Sequence, residues 1–282
     1  MSFRSPLINV MVAAARKAAR GLVRDFGEVE QLQVSRKGPA DFVSQADLKA
    51  ERSLVADLGK ARPAVGFLLE EGGAQPGLDP KYRWIIDPLD GTTNFLHGIP
   101  HFAISIGFEK EGEIIAAVIF DPIHDELFWA EKGKGAYVND RRLRVASRRE
   151  LREAVVATGI THMGRPEPEL FIRELSHLMV EVAGVRRSGS AALDLAYVAA
   201  GRFDGYWERH ISPWDMAAGI LLVREAGGIV TDLTGGTRLF ETGNVLASND
   251  ALHRQLLQYV GDHATYPVAQ AASGPGLRPD SV

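Results

Sequence analysis

No cysteine stands anywhere in the 282 residues. Disulfides and thiolate metal sites are thereby excluded, and the composition fits a cytoplasmic protein. No apolar run approaches the ~20 residues of a membrane span. The start, Met1-Ser2-Phe3-Arg4-Ser5-Pro6, has no signal-peptide pattern. Neither sign of charge dominates: the net charge of −4 gives no global pull toward nucleic acid or anionic membrane. The eight histidines include no His-x-x-Glu-His pair, so zinc is not expected. Arg141, Arg142, Arg144, Arg148, Arg149 and Arg152 form a basic stretch without aromatic platforms. It reads as interface or solvated surface rather than a nucleic-acid site. The glycines at 133 and 135 lack the strand–helix context of a dinucleotide site, and there is no internal repeat.

What is present is ordinary for a soluble globular chain: 45% apolar and 24% charged residues. The length suits one large domain or two intimate ones. Residues 7–26 repeat apolar side chains at helical spacing, and Ser44 opens a second helix to about Lys60 with a variant capping box at Asp47. Val65–Leu69 reads as a strand, residues 72–80 as a loop, and Phe102–Phe108 with Ile114–Phe120 as a hairpin. Glu126–Ala130 and Gly135–Val138 continue an antiparallel pattern. Residues 1–150 thus form an α+β half. In the second half, 151–262, strands at 155–158, 184–187, 203–208, 229–233 and 245–248 are expected. Helices are expected at 167–183, 190–201, 213 to about 226, and 250–261. This alternation makes the fold class α/β. The tail, 263–282, reads as disordered.

One stretch organises the chain: Trp84-Ile85-Ile86-Asp87-Pro88-Leu89-Asp90-Gly91-Thr92-Thr93-Asn94-Phe95. An apolar strand end runs straight into Asp87 and Asp90. Pro88 between them has no N–H, so neither strand nor helix passes smoothly. Gly91 permits close backbone approach, and Thr92 and Thr93 can cap a short helix whose first N–H groups form an anion site. Two hard oxygen ligands beside an anion-binding turn suggest a divalent cation holding a phosphate. Asp-Pro-x-Asp alone also suits a plain Asx turn. No lysine or arginine stands in the stretch, so phosphate charge would fall to metal ions.

Asp87-Pro88-Leu89-Asp90-Gly91-Thr92-Thr93-Asn94-Phe95 resembles the first signature of the inositol monophosphatase family. Trp214-Asp215-Met216-Ala217-Ala218-Gly219, about 125 residues further on, resembles the second. The resemblance runs from about residue 5 to about residue 260. It implies a five-layer αβαβα sandwich of the sugar-phosphatase type, and a phosphomonoesterase acting on inositol monophosphates. It also implies two or three Mg²⁺ ions, inhibition by Li⁺ and a homodimer. The implied metal ligands are Glu70, Asp87, the Leu89 carbonyl, Asp90 and Asp215. Glu70, Thr92 and Asp47 take the catalytic roles, with Mg²⁺ and the Thr92 hydroxyl activating a water. Asp90, Gly91, Thr92, Gly189, Ala191, Glu208 and Asp215 take the substrate.

The residues themselves leave alternatives open. Asp215, three after Ser212, and Asp47, three after Ser44, also suit capping boxes. Glu70 and Glu71 suit a solvated acidic loop, Glu208 an exposed strand end, and Ser188-Gly189-Ser190-Ala191 a simple N-cap. Ser190, where animal relatives have Thr, and the loop 209–212 leave the exact alcohol open. Fructose 1,6-bisphosphate, histidinol phosphate and 3′-phosphoadenosine 5′-phosphate are alternative substrates on this fold. A binding or regulatory role is a rival of another class.

Overall fold

The computed structural model describes residues 4–28, 34–38, 41–160, 164 and 166–261; the expected tail, 263–282, lies outside them. Two helices open the chain, α1 (Pro6–Phe26) and α2 (Gln45–Ala61), flanking strands β1 (Val34–Gly38) and β2 (Asp41–Ser44). The Ser5 hydroxyl accepts from the Ile8 N–H at 3.2 Å, with Pro6 in the first turn of α1. Ser44 and Asp47 form the expected capping box on α2.

Eight strands follow into one sheet. They are β3 (Val65–Leu69), β4 (Gly73–Gln75), β5 (Asp79–Asp90), β6 (Ala103–Lys110), β7 (Glu113–Asp121), β8 (Glu126–Glu131), β9 (Gly135–Val138) and β10 (Arg141–Arg142), with helix α3 (Thr92–Leu96) between β5 and β6. Their order is β10-β9-β8-β7-β6-β5-β3-β4. Only β3 and β5 pair in parallel. The period of two decides what each face meets. Trp84, Ile86, Ile104 and Ile106 pack with α1 and α2, while Ile85, Ala103, Ala117 and Ile119 face the other way, toward the middle of the molecule.

The second sheet is built from β11 (Val155–Thr158), β12 (Gly184–Arg186), β13 (Gly205–Glu208), β14 (Ile229–Thr231) and β15 (Val245–Ser248), in the order β12-β11-β13-β15-β14. Helices α4 (Pro168–Leu178), α5 (Ala191–Ala199), α6 (Pro213–Glu225), α7 (Leu239–Thr242) and α8 (Asp250–Val260) alternate with these strands. Ala157, Tyr206, Val245 and Ala247 share the middle core with α5 and α6. Val156, Trp207 and Leu246 face outward, against Phe171 and Leu178 of α4 and Leu252 and Leu256 of α8. The layers therefore run α1/α2, sheet, α5/α6, sheet, α4/α8, which is the expected αβαβα sandwich. Among the described residues no helix is long and apolar enough to cross a membrane.

Four local expectations need correction. The loop expected at 72–80 contains β4 and the start of β5, because Gly66 and Gly77 let two backbones meet: a Cβ on Gly77 would lie 2.2 Å from the Gly66 nitrogen. The helix expected to reach residue 183 ends at Leu178, because the chain must turn to enter β12, with the Ala183 N–H bonded to the Ala154 carbonyl at 2.9 Å. Thr92 and Thr93 do not cap α3; the N-cap is Gly91, at φ 99°, with no side-chain cap. The short helix α7 had no expected counterpart.

Close packing in the middle layer depends on small residues. A Cβ on Gly219 of α6 would lie 2.5 Å from Leu195 of α5, and Ala217 sits against Gly107 of β6 at 3.1 Å by the same construction. Gly219→Ala is therefore expected to destabilise the fold by about 1–3 kcal/mol. Urea denaturation checks this, and adding Leu195→Ala should reduce the overpacking cost.

Candidate active site

The site forms where β3 and β5 end side by side. Their parallel register sets Leu69 against Ile86, so Glu70 and Asp87 leave the sheet together, with the Glu70 N–H bonded to the Ile86 carbonyl at 3.2 Å. The β5–β6 register then slips between Asp87 and Asp90. Pro88 cannot donate to the ladder, and a bulge at such a residue re-aims the side chains around it. Asp87 is 2% exposed, and its Oδ1 accepts from the Leu89 N–H at 2.9 Å. The Asx turn is present, and it holds the carboxylate in place.

Asp90 is gripped from the other half of the molecule. Its Oδ2 accepts from the Ser190 hydroxyl at 2.5 Å and from the Ala192 N–H at 2.7 Å, both at the start of α5. Asp215 arrives on the first turn of α6, where its Oδ2 accepts from the Ser212 N–H at 2.7 Å. Carboxylate oxygens of Asp87, Asp90 and Asp215 all lie within 4.8 Å of one another. Glu70 hydrogen-bonds Asp87 and acts electrostatically on both Asp87 and Asp215. Beside them, the Thr92 hydroxyl lies 3.1 Å from Asp47 Oδ1 and 3.0 Å from the Leu89 carbonyl.

Burial and mutual repulsion set the charge state. Burial pushes Asp87 well above the usual carboxylate range, and Glu70, Asp90 and Asp215 push it further. Asp215 rises for the same reasons, burial first and then Asp90 and Glu70. Burial lifts Asp90 to about 6, against the pull of its Ser190 and Ala192 hydrogen bonds. Asp47 is raised by burial as well. Among the described residues, no ion pair to Lys, Arg or His compensates Asp87, Asp90 or Asp215. A cluster of oxygen donors with this much uncompensated charge fits a hard divalent cation and disfavours a thiolate or imidazole metal.

The residues expected to take the substrate lie near the same carboxylates. Gly189 precedes the Ser190 cap at φ 93°, and Ala191 begins α5. Glu208 ends β13, and its Oε2 accepts from the Tyr206 hydroxyl at 2.5 Å. Glu208 also raises Asp90 and Asp215 electrostatically, which places it beside the cluster. All candidate residues from the sequence thus gather in one region.

Sequence reasoning missed four supporting residues. Tyr206 stands two before Glu208 on one strand, a period-two signal that could have found it. Gly159 meets the Glu208 carboxylate so closely that a Cβ there would be 2.0 Å from it. Asp194 is 1% exposed and is pushed well up by burial, with Glu208 and Asp90 adding to the shift. Asn94 joins the motif to the turn before α5.

A five-layer sandwich with carboxylates converging from strand ends and a helix start is the arrangement expected of the phosphatase family that the two motifs resemble. The family model described as "Inositol monophosphatase family" matches residues 4–265. The chain belongs to the inositol monophosphatase family. It is 59% identical to the inositol-1-monophosphatase of Rhizobium meliloti (strain 1021) over 257 residues, 91% of this chain and 97% of that one. It is 44% identical over 258 residues to the Nus factor SuhB of Vibrio cholerae, 92% of this chain and 97% of the relative. The crystal structure of the extragenic suppressor protein suhB from Bartonella henselae superposes with a TM-score of 0.90 at 57% identity, covering 92% of this chain and 100% of that one.

The crowded acids make apo stability depend on pH. Asp90 keeps its proton to about pH 6 when folded but loses it near its ordinary value, 3.8, when unfolded. Between those values the unfolded chain binds fewer protons, so stability falls as pH rises through this window. Asp87 and Asp215 act in the same direction. A divalent cation reverses the trend by occupying the ionised set. Calorimetry should show Mg²⁺ raising the unfolding temperature more at pH 8 than at pH 5. An equal or opposite effect would contradict the site.

Proposed function

We propose that the chain is a Mg²⁺-dependent phosphomonoesterase that hydrolyses inositol monophosphates to inositol and phosphate. The observation that carries this reading is the convergence of the Asp87, Asp90 and Asp215 carboxylates within 4.8 Å, with Thr92 and Asp47 beside them. Relatives at 59% identity named inositol-1-monophosphatase support the substrate.

Glu70, Asp87, Asp90, Asp215 and the Leu89 carbonyl would hold two or three Mg²⁺ ions. When bound, such ions neutralise phosphate charge and lower the pKa of water. The rest falls to the chain. Thr92 has one proton and two acceptors, Asp47 Oδ1 and the Leu89 carbonyl. With that proton directed in a hydrogen bond to Asp47 Oδ1, the Thr92 oxygen lone pairs are turned to accept from a water and aim it at phosphorus. The water's O–P bond forms as the ester's P–O bond breaks. The water's proton passes to Thr92 while that of Thr92 passes to Asp47, and the leaving alkoxide takes a proton from solvent. Gly91 and Thr92 N–H groups face the phosphate. Gly189 and Ala191 flank the inositol ring, and Glu208, fixed by Tyr206, accepts from its hydroxyls. Li⁺ inhibition and a homodimer belong to the same reading.

A second role is favoured by the relative named Nus factor SuhB. Arg141, Arg142, Arg144 and Arg149 are exposed and offer positive charge to a macromolecular partner in addition to catalysis.

Phosphate release from a panel of phosphomonoesters tests the main reading. Activity is expected only with Mg²⁺ and preferentially on inositol monophosphates; comparable rates on all substrates would undercut the assignment. Thr92→Ala should lower kcat by about 10²-fold or more, and wild-type-like turnover by Asp90→Asn would refute the ligand set. Gly159→Ala should displace Glu208 and raise KM for the inositol ester while leaving Mg²⁺ affinity near wild type.

A further inference from the structure

The DGTTNF stretch contains, one place before its end, a residue to which the proposed chemistry gives no part. Asn94 is 4% exposed, so its amide must be satisfied within the protein. Its Nδ2 donates to the His101 carbonyl at 2.8 Å and to the Ser188 carbonyl at 2.9 Å. Both N–H bonds are thereby used, and because both partners are carbonyls the amide has one sensible orientation. The Ser188 contact spans 94 residues of sequence and joins the first sheet's motif to the turn ahead of α5.

That turn is the one that takes part in the site. Gly189 lies close against the Asn94 amide and the Arg187 guanidinium: a Cβ there would be 2.8 Å from Arg187 Nη1, 2.9 Å from Asn94 Nδ2 and 3.1 Å from Asn94 Oδ1. The next residue, Ser190, and then Ala192 hold Asp90 Oδ2. Asp90 is followed by Gly91, whose own missing Cβ leaves room for the Gly189 carbonyl at 3.3 Å. The contacts close a circuit: Asp90, Gly91, Asn94, Ser188, Gly189, Ser190 and back to Asp90.

We propose that Asn94 is a positioning residue, fixing the turn 188–191 so that its ring-facing backbone and its grip on Asp90 keep one geometry. The assignment of this turn to the substrate rests on the reading above. Asparagine is specified by the geometry. Asp would turn a carboxylate oxygen toward two carbonyls, Gln is one methylene too long, and Ala leaves two buried carbonyls without donors. The proposal predicts that loosening Asn94 weakens substrate recognition first, through the turn 188–191, and reaches Asp90 only through the Ser190 and Ala192 bonds.

The test compares Asn94→Ala and Asn94→Ser with wild-type holoenzyme by three readouts. For Asn94→Ala, KM for the inositol ester is expected to rise about tenfold and kcat to fall by a smaller factor through the loosened hold on Asp90, as expected for displaced substrate-positioning contacts. Amide exchange at Ala192, whose N–H is held by Asp90, should accelerate by about tenfold or more. Asn94→Ser keeps one donor and should fall between the two. If the Ala variant does not fold, the Ser variant carries the test. A lowered unfolding temperature with unchanged KM and unchanged Ala192 exchange would mean a purely structural residue and overturns the proposal. Should the wild type hydrolyse no phosphomonoester, the functional reading fails. The exchange data would still decide the circuit on their own.

Discussion

Like charges held close together and shielded from water are what the rest of this molecule must accommodate. Two ionised carboxylates about 5 Å apart repel by about 3 kcal/mol at an effective dielectric constant of about 20. The chain places Asp87, Asp90, Asp215 and Glu70 together and gives the three aspartates no cationic partner among the described residues. It meets that cost with backbone N–H groups and one side-chain hydroxyl. Asp87 takes the Leu89 N–H, Asp90 the Ala192 N–H and the Ser190 hydroxyl, and Asp215 the Ser212 N–H.

Those bonds also dissolve an ambiguity that the sequence alone left standing. A capping or turn role and a chemical role looked like competitors for Asp87, Asp215 and Asp47. A carboxylate has two oxygens, however, and the structural bond uses one of them. Asp47 is the clearest case: Oδ2 caps Ser44, while Oδ1 takes the Thr92 hydroxyl. Capping fixes the rotamer, and a fixed rotamer is what a metal ligand or a water-orienting group needs.

Local signals carried most of what was readable. Strands at 65–69 and 245–248 fall where alternation and turn residues put them, and the caps of α2 and α6 sit at the expected Ser44 and Ser212. The site's nucleus was legible because Pro88 and Gly91 mark an interrupted strand end. What escaped depends on partners far along the chain. The strand at 73–75 exists because Gly66 and Gly77 touch, α4 stops where the chain must enter a parallel strand, and Asn94 acquires its purpose only when residue 188 arrives beside it. Gly159 is informative only beside Glu208. Periodicity reports which face is buried, whereas it is silent about which distant backbone comes to rest on that face.

The division of labour between the two sheets bears on selectivity. On the proposed reading, the hydrolytic residues Glu70, Asp87, Thr92 and Asp47 come from the first half, and Glu208, Tyr206 and Gly189 come from the second. Phosphate recognition through cations is indifferent to the alcohol, since every monoester presents the same anion. On that reading discrimination falls to Glu208, an acceptor held by Tyr206 at 2.5 Å. An alcohol with hydroxyls to donate satisfies that carboxylate. One without them forgoes those bonds, a loss of the kind that makes hydrogen-bonding sites reject analogues lacking the group. The second sheet can therefore drift in sequence toward another alcohol without disturbing the hydrolytic cluster, provided that the start of α5 keeps its hold on Asp90.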